Sequence, residues 1–240
     1  MAYTRYNESG HYIFGGIDYV DFNGCAIPDD EVDVFIYKLF DESNNGGDEF
    51  WERFHHGSRV IDNFQKGIRL QKLTKHTGNL EAKTPAIAAL ADTIWREHYT
   101  PIIGAAQVEY MLVKFQSAEQ IRIDIKRNDY IYFTAEYIKS GEMIGYCAVQ
   151  PKEDYLSLSK IYVRKDYRGR GVARSFVNEV TALCRYEYGF GKICLTVNKH
   201  NDNSIAAYHK MGFETIDSIK TDIGGGFFMD DFVMEVRIEK

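Results

Sequence analysis

A turn rich in glycine and arginine, Tyr167-Arg168-Gly169-Arg170-Gly171-Val172-Ala173-Arg174, lies between an apolar strand-like run and a long amphipathic helix pattern, and it constrains this chain more than any other segment. Glycines at 169 and 171 let the backbone approach an anion closely. The helix that follows offers free N–H groups and the positive end of its dipole, and three arginines add charge. The segment reads as a cradle for the diphosphate of a phosphorylated cofactor.

Context narrows the choice of cofactor. No Gly-Lys-Ser/Thr follows the turn, so a nucleotide-hydrolysing loop loses its lysine for the terminal phosphates and its hydroxyl for magnesium. The dinucleotide fingerprint fails as well: its three spaced glycines are missing, and the next strand, Lys192 to Asn198, carries no carboxylate for a ribose.

After the turn, Val172, Ala173, Phe176, Val177, Val180, Leu183 and Cys184 recur at helical spacing, and Ile193, Leu195 and Val197 then alternate as in a strand. The next stretch, Asn198 to Phe213, reads as a short helix with Asn or Asp at its start and Gly212 at its end. Upstream of the turn, Leu156 and Leu158 share one parity and Ile161 and Val163 the other, so the inward face changes register between Ser159 and Lys160. A bulge accounts for that shift.

Arg168, Gly171 and Ala173 match the Arg/Gln-x-x-Gly-x-Gly/Ala motif of the GNAT acyl-CoA N-acyltransferases, which this chain resembles. Asn201, Ser204, Ile205, Tyr208, Lys210, Gly212 and Phe213 match the following helix of that family in order and spacing. The resemblance runs from about Ile68 to the C-terminus. It implies an α/β GNAT fold: a mixed, mostly antiparallel sheet, splayed where acetyl-CoA binds and flanked by helices. Residues 67–240 are expected to form this N-acetyltransferase domain, and residues 1–66 a small α+β appendage.

The resemblance also implies roles. Acetyl-CoA is the expected co-substrate, held by Ile161, Tyr162, Val163, Arg168, Gly169, Arg170, Gly171, Val172, Ala173, Arg174 and Asn201. Tyr208 is the expected acid for the leaving thiolate; a phenol stays protonated at neutral pH and suits the task. The amine must first lose a proton, because an alkyl amine with a pKa of about 10.4 arrives charged. Many family members place a glutamate on the fourth strand for this step, whereas this chain has Ser157, Ser159 and Lys160 there. A water relay or a distant carboxylate must serve instead. Backbone N–H groups near Ile161 to Val163 are candidates for holding the oxyanion.

Before the turn, Ile68 to Leu73 reads as a first strand. Ile87, Leu90, Ala91, Ile94 and Trp95 form a helix stripe that ends in Arg96-Glu97-His98-Tyr99-Thr100-Pro101. A second helix carries Val108, Met111, Leu112 and Phe115, and Ile121 to Asn128 reads as a third. Tyr130 to Tyr137 and Met143 to Gln150 read as a hairpin about Lys139-Ser140-Gly141. In the family, the loop between the first two helices borders the acceptor site, which makes Glu97, His98 and Tyr99 candidates for meeting an amine. Asp230 and Asp231, after Gly224-Gly225-Gly226, are the second candidate pair, and adjacent strand residues face opposite ways. The Ile-Trp-x-x-His-Tyr and Gly-Gly-Gly-Phe-x-Met-Asp-Asp runs resemble members that acetylate polyamines or diamines.

With 240 residues, of which 45% are hydrophobic, the chain can bury a sizeable core. A net charge of −6 argues against nucleic acid and leans towards a cationic small molecule. No apolar run approaches the ~20 residues of a membrane span, and the first 15 residues lack a signal-like pattern, so a cytoplasmic location is expected. Cys147, Cys184 and Cys194 sit in apolar patterns and read as buried thiols. No metal is expected, His55-His56 included. Partners are expected to be a small-molecule amine and a second copy in a homodimer, without nucleic acid or membrane. In the first 66 residues, His11 to Phe22 suggests a hairpin turning at Gly15-Gly16, and Pro28-Asp29-Asp30-Glu31 a helix start. Two other classes stay open: an acetyl-CoA-binding sensor or adaptor, and an enzyme acting on a protein N-terminus or an aminoglycoside.

Overall fold

The computed structural model describes residues 67–238 with their side chains, and the backbone of four strand segments before them, residues 3–6, 12–14, 17–19 and 60–63. Those segments are β1 (Tyr3–Tyr6), β2 (Tyr12–Phe14), β3 (Ile17–Tyr19) and β4 (Val60–Asn63). Strands β2 and β3 pair antiparallel with Phe14 opposite Ile17, the hairpin expected about residues 15 and 16. The helix start expected at Pro28 lies outside the described residues.

The remaining elements are β5 (Ile68–Leu73), α1 (Leu80–Ile103), α2 (Ala105–Phe115), α3 (Ala118–Arg127), β6 (Ile131–Tyr137), β7 (Glu142–Pro151), β8 (Leu156–Val163), α4 (Val172–Ala182), β9 (Lys192–Asn198), α5 (Asp202–Lys210), β10 (Glu214–Gly224) and β11 (Phe227–Arg237). In the sheet, β5 to β9 follow in chain order and then come β11 and β10. All of these neighbours are antiparallel except β8 and β9.

Strands β6 and β7 are buried on both faces along most of their length. Alternation along them therefore feeds two cores. Phe133 and Cys147 join Phe176, Val177 and Val180 of α4 on one face. Tyr132 and Tyr146 join Ile87, Ile94, Trp95 and Leu112 on the other. The apolar stripe of α1 is buried as its spacing requires.

Helix α1 runs beyond its expected end. Pro101 lies inside it, and Gly104, at φ +82°, separates it from α2. Proline removes one helical N–H donor. Both Pro101 and Glu97 are exposed, so the Glu97 carbonyl left without that donor stays within reach of water. Glu97, His98 and Tyr99 thus stand on the last turns of a helix and not in a loop.

The bulge falls where the parity shift placed it. Between β7 and β8 the register steps from Ala148↔Lys160 to Val149↔Leu158, which leaves Ser159 as the extra residue. Leu156, Leu158, Ile161 and Val163 consequently all face the α4 side, while Lys160 turns to the other. There the buried Lys160 ammonium donates to the Tyr132 hydroxyl (2.6 Å), the Phe115 carbonyl (2.9 Å) and Asp124 Oδ2 (3.2 Å). Asp124 Oδ1 accepts from Gln120 at 2.7 Å. Both charges are almost fully buried, so each depends on the other for compensation. Asp124→Ala, which strands the ammonium, is expected to cost about 3–5 kcal/mol in urea unfolding. Replacing both partners by apolar residues should cost much less than the two single changes added together.

Candidate active site

Strands β8 and β9 are paired only at Leu156↔Ile193 and Ser157↔Cys194. Beyond those pairs they diverge, and the gap opens into two cavities. The first, about 510 Å³, lies on the side of α4 and α5 and is lined by Val163, Arg168, Gly169, Gly171, Val172, Ala173 and Arg174, with Ser204, Ala207 and Lys210 from α5. The second, about 440 Å³, lies under α1 to α3 and is lined by Trp95, Met111, Phe115, Gln120, Asp124, Ser159, Lys160, Thr196 and Asp231 among others. Tyr99, Ile161, Tyr162 and Tyr208 line both.

The first cavity is built to hold an anion at one end. Gly169 (φ +74°) and Gly171 (φ +80°) both take the left-handed backbone that favours glycine. The first intrahelical amide bond of α4 runs from Ser175 N–H to the Gly171 carbonyl, so the N–H groups of Val172, Ala173 and Arg174 have no acceptor within the helix. The arginines divide their work. Arg168 Nε donates to the Val163 carbonyl at 3.0 Å, tying the turn back onto β8. Arg174 donates to the Lys210 carbonyl at 2.9 Å and bridges α4 to α5. Arg170 stacks on the Tyr167 ring at 4.8 Å and does not line the cavity.

Asn201 lies outside the first cavity too, and has a structural position instead. Its side chain caps α5 by accepting from Ser204 N–H. The same oxygen lies 3.1 Å from His98 Nε2; an amide oxygen only accepts, so His98 carries its proton on that nitrogen. Burial, and then the nearby Arg168, hold His98 below its ordinary pKa. Asn201 thereby locks the end of α1 to the start of the helix that carries Tyr208.

Tyr208 is set by its helix. Its carbonyl accepts from Phe213 N–H at 3.0 Å and from Met211 N–H at 2.9 Å, closing α5 at the turn where Gly212 takes φ +95°. Burial pushes its phenol far above the ordinary value, with smaller contributions from Tyr99 and Cys147. Tyr99 is pushed up to about 12, again chiefly by burial. Tyr99 packs on Trp95 at 4.6 Å and meets Tyr162 edge-on at 6.2 Å.

Of the acceptor candidates, the structure brings Tyr99 and Asp231 to the cavities and leaves Glu97 and Asp230 out. Glu97 pairs with Lys165 at 3.1 Å on the outer side of α1. Asp230 pairs with Lys199, on the sheet face opposite to Asp231. Asp231 is buried and held at about 6, mainly by burial and then by repulsion from Asp230, against the Thr196 hydrogen bond and Lys199. Sequence reasoning missed the walls supplied by Gln107, Gln116, Gln120 and Tyr155, since nothing local marks a polar residue as facing a gap. Cys147 and Cys184 are buried, and Cys194 is partly buried beside Glu235.

The profile of the acetyltransferase (GNAT) family matches residues 89–213, over half of the 240 residues, and the chain belongs to that family. An uncharacterized N-acetyltransferase of Mycobacterium tuberculosis is 30% identical over 95 residues, which cover 39% of this chain and 60% of that protein. One of Mycobacterium bovis matches to the same extent, so the chain spans about 60% of the length of these curated relatives. Among solved structures, the PaiA N-acetyltransferase of Thermoplasma acidophilum in complex with coenzyme A aligns with a TM-score of 0.58 at 21% identity, over 71% of this chain and 98% of that one. The ribosomal-protein-S5-alanine acetyltransferase of Vibrio fischeri aligns with a TM-score of 0.55 at 14% identity, over 76% and 97%. These likenesses show the GNAT fold.

A Cβ at a left-handed position costs roughly 1–2 kcal/mol. Gly171→Ala is therefore expected to lower the melting temperature by several degrees and, through the methyl it puts at the cavity wall and the displacement of the turn's amides, to weaken coenzyme A binding in calorimetry at least about tenfold. Gly78→Ala, where a Cβ has nothing within 4 Å and the backbone needs no positive φ, should change neither.

Proposed function

We propose that this protein is an N-acetyltransferase that moves the acetyl group of acetyl-CoA to a primary amine by direct attack, with both substrates bound together. The observation that carries the reading is the meeting of an anion-holding cleft and an acceptor cavity at Tyr99, Ile161, Tyr162 and Tyr208. The cleft fits coenzyme A: free amides at the start of α4 and the glycine turn suit a diphosphate. The edge of β8 that β9 leaves open beyond Ser157, while β7 still pairs with the other edge, suits an extended thiol arm. Acetyl-CoA supplies a thioester carbonyl that the amine attacks.

In this reading Tyr208 donates its O–H to the sulfur as the C–S bond breaks. Its raised pKa keeps it protonated throughout the working range, so a proton is on the phenol when the thiolate leaves. Backbone amides of β8 at the gap take the charge that gathers on the carbonyl oxygen. Much of the rate then comes from holding the two reactants in one place.

For the acceptor we favour a diamine or polyamine. The support is one acidic side chain in the cavity wall outside any ion pair among the described residues, Asp231, facing one ammonium, with the neutral polar groups of Gln107, Gln120 and Ser159 near a second. Asp124 does not add to this, because Lys160 neutralises it.

Thiol release from acetyl-CoA across spermidine, putrescine, an aminoglycoside and a peptide amine tests the function. Release with the first two supports the favoured class, and release with neither but with a peptide or aminoglycoside moves the acceptor. Release with none favours a sensor that binds without turnover. Tyr208→Phe is expected to lower turnover about 10²-fold or more with acetyl-CoA affinity unchanged. Unchanged turnover would remove Tyr208 from the reaction.

A further inference from the structure

We propose that Asp231 is the general base that takes the proton from the acceptor ammonium, an assignment that rests on the acetyltransferase reading. Two carboxylates line the acceptor cavity, Asp124 and Asp231. Asp124 is closed off: its two oxygens accept from Lys160, Tyr132, Gln120 and Asn128, which occupies the four acceptor positions of a carboxylate and leaves none for a substrate proton. No histidine lines this cavity, and His98 stands in the cleft on the other side with Nε2 turned to Asn201. The phenols there are poor acceptors, Tyr99 at about 12 among them, and the Cys194 thiol is pushed up to about 11.

Asp231 stands where the proton must go. It lies opposite Asn198 on β9 and Ile219 on β10, at the end of β9 where the gap is open, and its side chain is buried in the wall of the cavity that reaches Tyr208. The charged or titratable groups about it are Asp230 on its own strand, Lys199 beyond β9 and Tyr99 from α1. Burial and Asp230 bring the carboxyl to about 6, so it is ionised at neutral pH yet more basic than an exposed carboxylate.

Protons and bonds balance. The ammonium gives one proton to Asp231, which passes it to solvent. The freed amine forms the N–C bond and the C–S bond breaks. The sulfur takes the Tyr208 proton, and the proton shed by nitrogen as the amide forms restores the phenol. One proton is released in each turnover.

The test compares wild type, Asp231→Asn and Asp231→Glu with two acceptors: putrescine, charged at pH 7, and trifluoroethylamine, mostly neutral there. With putrescine, Asp231→Asn is expected to lower kcat/KM by about 10²–10⁴-fold, and Asp231→Glu to restore part of it. With trifluoroethylamine the loss should stay below about tenfold, since that amine needs no base. The acidic limb of the wild-type profile, near pH 6 and rising with pH as Asp231 ionises, should vanish in Asp231→Asn. Equal losses with both amines, or an acidic limb kept in Asp231→Asn while acetyl-CoA still binds, overturn this assignment alone. No thiol release by wild type with any amine overturns the transferase reading and this assignment with it.

Discussion

Two adjacent strands that stop pairing make this site. After Ser157↔Cys194, β8 and β9 share no further ladder bonds, although both continue for several residues in the middle of a sheet. A central sheet normally satisfies its backbone groups with its neighbours. Here the amides and carbonyls of a divergent parallel pair are left facing a gap, and a second molecule can complete them. The bulge at Ser159 belongs to the same device: it lets Leu156, Leu158, Ile161 and Val163 hold one core while Lys160 and Tyr162 turn to the other. Both cavities, and their meeting at Tyr208, follow from this splay.

The two sides of the gap carry opposite electrostatics, which sorts the substrates. Towards α4 lie helix amides, two left-handed glycines, Arg168 and Arg174, a setting for an anion. Towards α1–α3 the only full positive charge among the lining residues, Lys160, is cancelled by Asp124, and Asp231 leaves a net negative wall. Burying an unpaired ammonium would cost several kcal/mol, whereas the paired and triply hydrogen-bonded Lys160 forms a neutral, rigid floor. The cavity is thus shaped by a charge pair without being dominated by it.

Much of this was legible because its causes are local. The turn at 167–174, the cap at Asn201 and the stop at Gly212 depend on neighbouring residues, and the parity change at Ser159 is a counting argument over eight positions. The end of α1 was misread because proline is a strong breaker signal, which an exposed last turn tolerates. Arg170, Asn201, Glu97 and Asp230 fall outside the two cavities that meet at Tyr208 for a different reason, Glu97 and Asn201 lining a smaller hollow beside Arg168. Motif and charge give residue type, but facing depends on what stands opposite: Tyr167 for Arg170, Lys165 for Glu97 and Lys199 for Asp230. Strand parity separates Asp230 from Asp231 but cannot say which of them faces inward. Lys160 and Asp124 meet across 36 residues of sequence, and no periodicity in either segment announces the other.

The account is tested most directly by a crystal structure with a bisubstrate analogue, coenzyme A joined through its sulfur to an acetylated diamine. It predicts the diphosphate on the amides of Val172 to Arg174, the sulfur beside the Tyr208 hydroxyl and the acceptor nitrogen on the Asp231 side of the gap. A ligand seated elsewhere, or one whose amine arm leaves the gap without entering the cavity under α1–α3, would contradict it.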